Sequence, residues 1–310
     1  MILSVSRRTD IPAFYGEWFL NRLKAGFVYV KNPMNPRQVS RIDLAPEVVD
    51  CIVFWTKNPE PMLKYLDELS GYPFYFQFTL TGYGTDIEPG LGGQKEHLLS
   101  VFASLAQKIG RERVIWRYDP IIFTPKYTEA YHLYEFEKIA KALYGYTDKC
   151  VISFVDMYAK IKKNVRRLEF ASPDPGRIAA FAGKLREIAE SFRMEMASCA
   201  ERIDLEKWGI AHNSCIDKAL IEKLIGGNIT AKKDKNQRGA CQCVESIDIG
   251  SYNTCPHGCK YCYANFSEES VLKNCKKYDP DGPLLCNAVA AGDKVTQRKV
   301  WSLKENQWNI

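Results

Sequence analysis

The stretch Ser246-Ile-Asp-Ile-Gly-Ser-Tyr-Asn253 runs directly into Thr254-Cys255-Pro-His-Gly-Cys259-Lys-Tyr-Cys262. The first part alternates as a short β-strand. The second is a loop with three cysteines spaced C-x3-C-x2-C, with Pro256 and Gly258 suited to a turn that folds its sulfurs inward. Three thiolates on one loop hold three corners of a cubane iron–sulfur cluster and leave the fourth iron open to another ligand. The competing reading is a zinc knuckle. That site needs four ligands, and His257, the only extra donor in the loop, sits too close in sequence to complete a tetrahedron without strain.

Outward from this loop, the chain has 310 residues and 46% hydrophobic content, enough for one large α/β domain or two smaller ones. It shows no apolar run of membrane-spanning length and no signal peptide, so a cytoplasmic protein without membrane contact is expected. Eleven cysteines then argue for metal ligation over disulfides. A net charge of +6 permits a phosphate-bearing or nucleic-acid substrate without requiring one.

Strand-like runs at 2–6, 51–56, 74–81, 113–119, 150–157, 194–201 and 246–253 alternate with amphipathic segments at 14–25, 60–69, 94–109, 128–144, 177–192 and 218–224. Such alternation predicts parallel strands with helical crossovers, an α/β fold of (β/α) barrel type, full or partial. Residues 27–44 read as an inserted hairpin. The barrel is expected over 1–263, including that hairpin and a cysteine-rich segment at 199–263. Residues 264–310 form an extension packed on it. Polar residues gather where strands end: Ser6, Arg7, Arg8, Thr9 and Asp10; Thr56 and Lys57; Gln77, Thr79 and Thr81; Arg117 and Asp119; Ser153 and Asp156; Ser198, Cys199 and Glu201. Strand C-termini form the active face of such a barrel. Asp10 and Thr9 equally suit a helix cap, and an Arg117 pairing with Asp119 or Asp156 would be purely structural. Cys51 and Cys150, at strand starts, read as buried thiols.

The strings Ser6-Arg-Arg-Thr-Asp-Ile-Pro12, Phe54-Trp-Thr-Lys-Asn-Pro59, Trp116-Arg-Tyr-Asp-Pro-Ile121 and Asp248-Ile-Gly-Ser-Tyr-Asn-Thr-Cys255 resemble an uncharacterised prokaryotic family, a domain of unknown function with a C-terminal cysteine motif like that of radical S-adenosylmethionine (SAM) proteins. A more distant similarity is to spore photoproduct lyase-like radical SAM proteins. Those proteins begin with the strand and cysteine loop, then show segments akin to Thr9-Asp10-Ile11-Pro12, Thr56-Lys57-Asn58-Pro59, Glu88-Pro89 and Asp119-Pro120-Ile121-Ile122 in this order. Here only the strand and loop are displaced, to the back. This implies a circularly permuted radical SAM barrel in which strand 246–253 lies beside strand 2–6.

The resemblance implies a 4Fe–4S cluster on Cys255, Cys259 and Cys262. SAM would chelate the open iron, and a one-electron reductant such as flavodoxin or ferredoxin would drive reductive cleavage and hydrogen abstraction. In that setting Ser6, Thr9 and Asp10 would hold SAM, with Asp10 accepting its ammonium, and Tyr261 and Tyr263 would wall the adenine. Arg7, Lys57, Arg117 and Asp119 would face the substrate, whose anionic character the cations suggest; nucleic acid is one such class. Cys199, Cys215, Cys241 and Cys243 are expected to converge on a second site, either a second 4Fe–4S cluster or zinc, while Cys275 and Cys286 read as free thiols. Two readings compete with the enzyme: a zinc-bearing nucleic-acid-binding protein without redox chemistry, and a non-catalytic iron–sulfur protein.

Overall fold

The computed structural model describes residues 1–155, 169–171 and 173–305. The strands are β1 Ile2–Val5, β2 Phe27–Asn32, β3 Asn35–Asp43, β4 Cys51–Thr56, β5 Phe74–Thr79, β6 Val114–Ile121, β7 Lys149–Phe154, β8 Glu195–Ser198, β9 Ala211–His212, β10 Ile247–Asp248 and β11 Lys294–Gln297. The helices are α1 Ile11–Phe14, α2 Gly16–Ala25, α3 Lys95–Ile109, α4 Glu129–Ala142, α5 Pro175–Ser191, α6 Lys218–Ile225 and α7 Glu268–Cys275. Eight strands form one sheet in the order β10-β1-β4-β5-β6-β7-β8-β9, and every pairing in it is parallel. An α/β fold with this sheet has the arrangement of a partial (β/α) barrel.

Local chemistry accounts for the crossover helices. In α3, Leu98, Val101, Phe102 and Leu105 fall on one face and are buried. Thr128 caps α4 by accepting from the Tyr131 N–H, and Asp174 caps α5 just ahead of Pro175. Gly26, at φ +74°, ends α2 in the left-handed conformation that glycine adopts at little cost. The segment Glu60–Leu69, expected as an α-helix, is a 3-10 helix. Its apolar Leu63, Leu66 and Leu69 recur every third residue, which matches three residues per turn.

The long-range pairing that decides the topology joins β1 to β10. Leu3 is opposite Ile247, Ser4 is opposite Asp248, and the Ile249 N–H donates to the Ser4 carbonyl at 3.2 Å. The two expected strands at 2–6 and 246–253 are therefore adjacent and parallel, though the second is only two residues long. The cause is Asp248, whose carboxylate accepts from the backbone N–H of Gly250 (3.0 Å) and Arg7 (2.8 Å). A side chain that captures backbone donors competes with the ladder and ends it.

Alternation along the strands gives the sheet two different faces. Leu3, Val5, Ile52, Phe54, Phe76, Phe78, Trp116 and Ile152 belong to the main core under the helices. Ile2, Cys51, Val53, Tyr75, Ile115 and Val151 pack on the other side against Cys215, Ile216, Ile221, Ile229, Cys241, Cys243 and Val244. The second face is therefore covered by the segment after β8. Cys51 and Cys150 are fully buried at the starts of β4 and β7, as expected of packing thiols.

The inserted hairpin is β2 and β3, antiparallel from Phe27 opposite Asp43 to Asn32 opposite Asn35. Its outer neighbour is β11, from within the C-terminal extension, parallel to β3. Lys31 pairs with Asp293 across this junction at 2.8 Å. Neither β11 nor α7 was expected, because both come from a polar tail with little periodicity.

Candidate active site and the two cysteine groups

The loop 255–262 is docked on the segments that follow β1, β4 and β5. His257 Nε2 lies 2.8 Å from Asp10 Oδ2, and the His257 carbonyl accepts the Gly90 N–H at 3.0 Å. The Lys260 N–H donates to the Ile87 carbonyl at 3.0 Å, and the Tyr261 hydroxyl donates to Glu88. A Cβ at Gly90 would stand 2.9 Å from the His257 carbonyl oxygen, so glycine is what permits this approach. His257, weighed from sequence as a zinc ligand, is instead the strut that ties the cysteine loop to β1's end.

Glu88 is the hub of this contact. It is fully buried, and it accepts from Lys57 (2.8 Å), Lys95, Thr81 (3.0 Å) and Tyr261. Burial alone would raise its carboxyl pKa, but the Lys57 and Lys95 ammoniums outweigh burial and bring it down to about 2. Lys57 is held charged, its burial opposed by Glu88 and by the nearby Cys259. Its Nζ lies 5.4 Å from the centre of the Tyr261 ring.

Asp10 uses both its carboxylate oxygens on the protein. Oδ1 caps α1 by accepting from the Ala13 N–H (3.1 Å), and Oδ2 accepts from the Lys57 N–H (2.7 Å) and His257. It therefore serves as the helix cap and as a brace. Ser6 likewise donates to Asp248 Oδ1 (2.7 Å) and accepts from the Arg8 N–H (2.9 Å), which joins β1 to β10. Thr9 Oγ1 and Arg7 Nη2 differ: both atoms are buried with no hydrogen-bond partner. Tyr263 is partly exposed, and its hydroxyl donates to the Arg7 carbonyl at 2.9 Å.

Trp55, on β4, stands between two guanidiniums. Arg7 Cζ is 5.0 Å and Arg117 Cζ 5.2 Å from its ring centre, and its indole N–H donates to Ser4 Oγ at 3.1 Å. Arg117 is buried and donates to Asp119 and, at 3.2 Å, to Gln77 Oε1. Asp119 also accepts from Ser153. Burial opposes the Asp119 charge, but Arg117 and Ser153 hold its pKa below the usual range. The structural pairing of Arg117 with Asp119 is thus present. Asp156 lies outside the described residues.

Three thiols of the loop, Cys255, Cys259 and Cys262, are pushed up by burial, Cys259 to about 12 with Lys57 acting against the shift. They act on one another through charge. The four cysteines of the other group are in contact. Cys199 Sγ lies 3.4 Å from Cys215 Sγ, Cys243 Sγ accepts from the Cys215 N–H at 3.2 Å, and the Cys241 thiol interacts with Cys243. These contacts run in series, and among the described residues no group of three or more Cys, His, Asp or Glu side chains is arranged to hold a metal ion. Cys275 and Cys286 flank the Tyr15 hydroxyl, the former at 3.3 Å. A separate cleft lined by Leu66, Asp67, Phe74, Lys108 and Arg113 opens where β5 and β6 begin and contains none of these residues.

Sequence reasoning assigned no role to Glu88, Trp55 or Asp248. Asp248 carried a signal, a carboxylate between Ile247 and Ile249. Glu88 sits in an irregular segment whose partners are 31 residues upstream and 173 downstream.

The fold and site define an α/β protein whose parallel sheet carries a three-cysteine loop over its strand ends. A model of the family described as "Domain of unknown function (DUF1848)" matches residues 2–264, and the chain belongs to that family. A comparison with curated proteins found no match. No described helix is long and apolar enough to cross a membrane.

Proposed function

We propose that this chain is a radical SAM-type enzyme built on a circularly permuted partial barrel, with a 4Fe–4S cluster on Cys255, Cys259 and Cys262 and SAM on its open iron. The observation that carries the reading is the pairing of β10 with β1. It brings the cysteine loop, last in sequence order, against the ends of β1, β4 and β5, where the resemblance requires a first strand and its loop. The donor set fits: three thiols on one loop, Cys259 buried and Cys255 and Cys262 partly so, beside a lysine, have soft ligand chemistry and a positive neighbour to offset an anionic cluster.

When bound, the cluster and SAM supply one-electron cleavage of the sulfonium and a carbon radical that takes hydrogen from the substrate. The protein's own residues do the positioning. Lys57 keeps a positive charge next to Cys259, and Glu88 fixes both Lys57 and Tyr261. Asp10 and His257 hold the loop in register with β1. The unpartnered Arg7 Nη2 and Thr9 Oγ1 are the buried polar atoms available to the SAM carboxylate or to an anionic substrate. A reductant of the flavodoxin or ferredoxin class completes the cycle.

Anaerobically reconstituted protein should cleave SAM to 5′-deoxyadenosine with dithionite as reductant. Changing Cys255, Cys259 or Cys262 to Ala should abolish turnover and remove about four irons. Full turnover in all three variants would end this reading.

A further inference from the structure

The four cysteines outside the loop carry a second inference. Cys199 directly follows β8, Cys215 lies in the turn before α6, and Cys241 and Cys243 flank Gln242 on the approach to β10. Three separate segments thus deliver four thiols to the second face of the sheet. Cys199 and Cys215 stand 3.4 Å apart, and Cys243 and Cys241 continue the contact.

The spacing discriminates between metals. Four thiolates bonded to one ion at ~2.3 Å lie about 3.8 Å from each other, the edge of a tetrahedron. A cubane places each thiolate on a different iron and spreads the sulfurs well beyond contact. Two sulfurs already 3.4 Å apart suit a single ion.

The surroundings suit thiolates. Two backbone N–H groups, from Cys215 and Ile216, aim at Cys243 Sγ at 3.2 and 3.3 Å. Asn213 Nδ2 and Arg117 Nη1 donate to Cys215 Sγ at 3.1 and 2.8 Å. All four are N–H donors directed at sulfur, the outer-layer pattern that orients and stabilises metal-bound ligands. A tetrathiolate around a divalent ion carries net negative charge, and the Arg7 and Arg117 guanidiniums both act on these sulfurs. The Cys215 carbonyl is held by Tyr75 (2.8 Å) and Gln77 (3.0 Å), so this ligand is braced from the sheet itself.

We propose that Cys199, Cys215, Cys241 and Cys243 bind one tetrahedral zinc-class divalent ion, a mononuclear site distinct from the Cys255–Cys262 loop. The ion closes the contacts that run in series into a ring and pins the segment 213–244 to the sheet.

The test uses the full chain with Cys255, Cys259 and Cys262 all changed to Ala, so that loss of cluster chemistry cannot be confused with loss of this site. Expected are about one zinc per chain and four sulfur neighbours at ~2.3 Å by zinc-edge X-ray absorption. Cobalt(II) added to the metal-stripped protein should give the thiolate charge-transfer band of a tetrahedral site. Cys243→Ser should weaken cobalt binding at least tenfold. Should that variant fold poorly, X-ray absorption on the wild-type chain decides alone. Iron with acid-labile sulfide retained in the triple variant, a Cys199–Cys215 disulfide, fewer than four sulfur neighbours, or four thiols that alkylate freely in metal-replete protein would each overturn the proposal.

Discussion

Replacing Glu88 by Gln removes one negative charge from a position where two ammoniums, a phenol and a threonine hydroxyl converge. The carboxyl's pKa falls from an ordinary 4.5 to about 2 on folding. At 1.36 kcal/mol per pKa unit this corresponds to ~3 kcal/mol of stabilisation of the charged form. That matches the ~3–5 kcal/mol typical for stripping a buried ion of its partner. Equilibrium urea unfolding of the metal-stripped chain at pH 7 should show Glu88→Gln destabilised by about 3 kcal/mol, read as a lower midpoint at unchanged slope. Because the folded-state pKa lies below the unfolded one, the wild-type advantage is complete above pH ~4.5 and is lost as pH falls toward 2, so the two proteins should converge in acid. Adding Lys57→Met removes one stranded cation and should recover part of the loss, a coupling that a double-mutant cycle measures. A cost under ~1 kcal/mol at pH 7, or a gap that widens in acid, would refute Glu88 as the charged hub.

Two further outcomes follow from the structure. His132 is buried between the Tyr118 hydroxyl at Nδ1 (2.9 Å) and the Ile122 carbonyl at Nε2 (2.8 Å), and burial lowers its pKa to about 4. Its neutral form is the folded one, so stability should decline as pH falls from ~6.5 to ~4, and this segment of a urea-midpoint profile should flatten in His132→Gln. Gly250→Ala would set a Cβ 2.0 Å from Ser6 Oγ and 2.6 Å from Ser6 Cβ. Either β10 or β1 must shift, and a loss of about 2 kcal/mol or more by urea unfolding, with lower iron retention after reconstitution, is expected.

Much of the architecture was legible because it rests on local pattern. The run Cys51–Thr56, apolar at every position but the last and rich in β-formers, reads as a buried parallel strand and is one with those bounds. The neighbouring of residues 2–5 and 247–248 was legible for a different reason, a familiar order of segments with one piece moved. What stayed hidden depends on tertiary convergence. Nothing local distinguishes Glu88 from a solvated carboxylate until Lys57, Lys95 and Tyr261 arrive around it. Asp10 showed its capping role in sequence but not its bond to His257, 247 residues away. The cover of the sheet's second face also depends on convergence: Val53, Tyr75 and Val151 point to a buried lining, and the structure reveals that the segment holding Cys215 and Cys243 covers it.

The distance along the chain between β1 and its partner β10 sets an order of events during synthesis. Residues 2–5 leave the ribosome with one edge of the strand unsatisfied, and the strand that satisfies it follows more than 240 residues later. At ~5–20 residues per second that interval lasts about 10–50 seconds, in which a largely apolar strand edge is open to wrong partners. Asp248, rather than a long ladder, then closes the gap: its carboxylate takes up Ser4, Ser6 and the Arg7 N–H within a two-residue strand. The cysteine loop arrives behind it. A nascent chain halted before residue 248 would therefore hold most of its core and none of its three-cysteine loop.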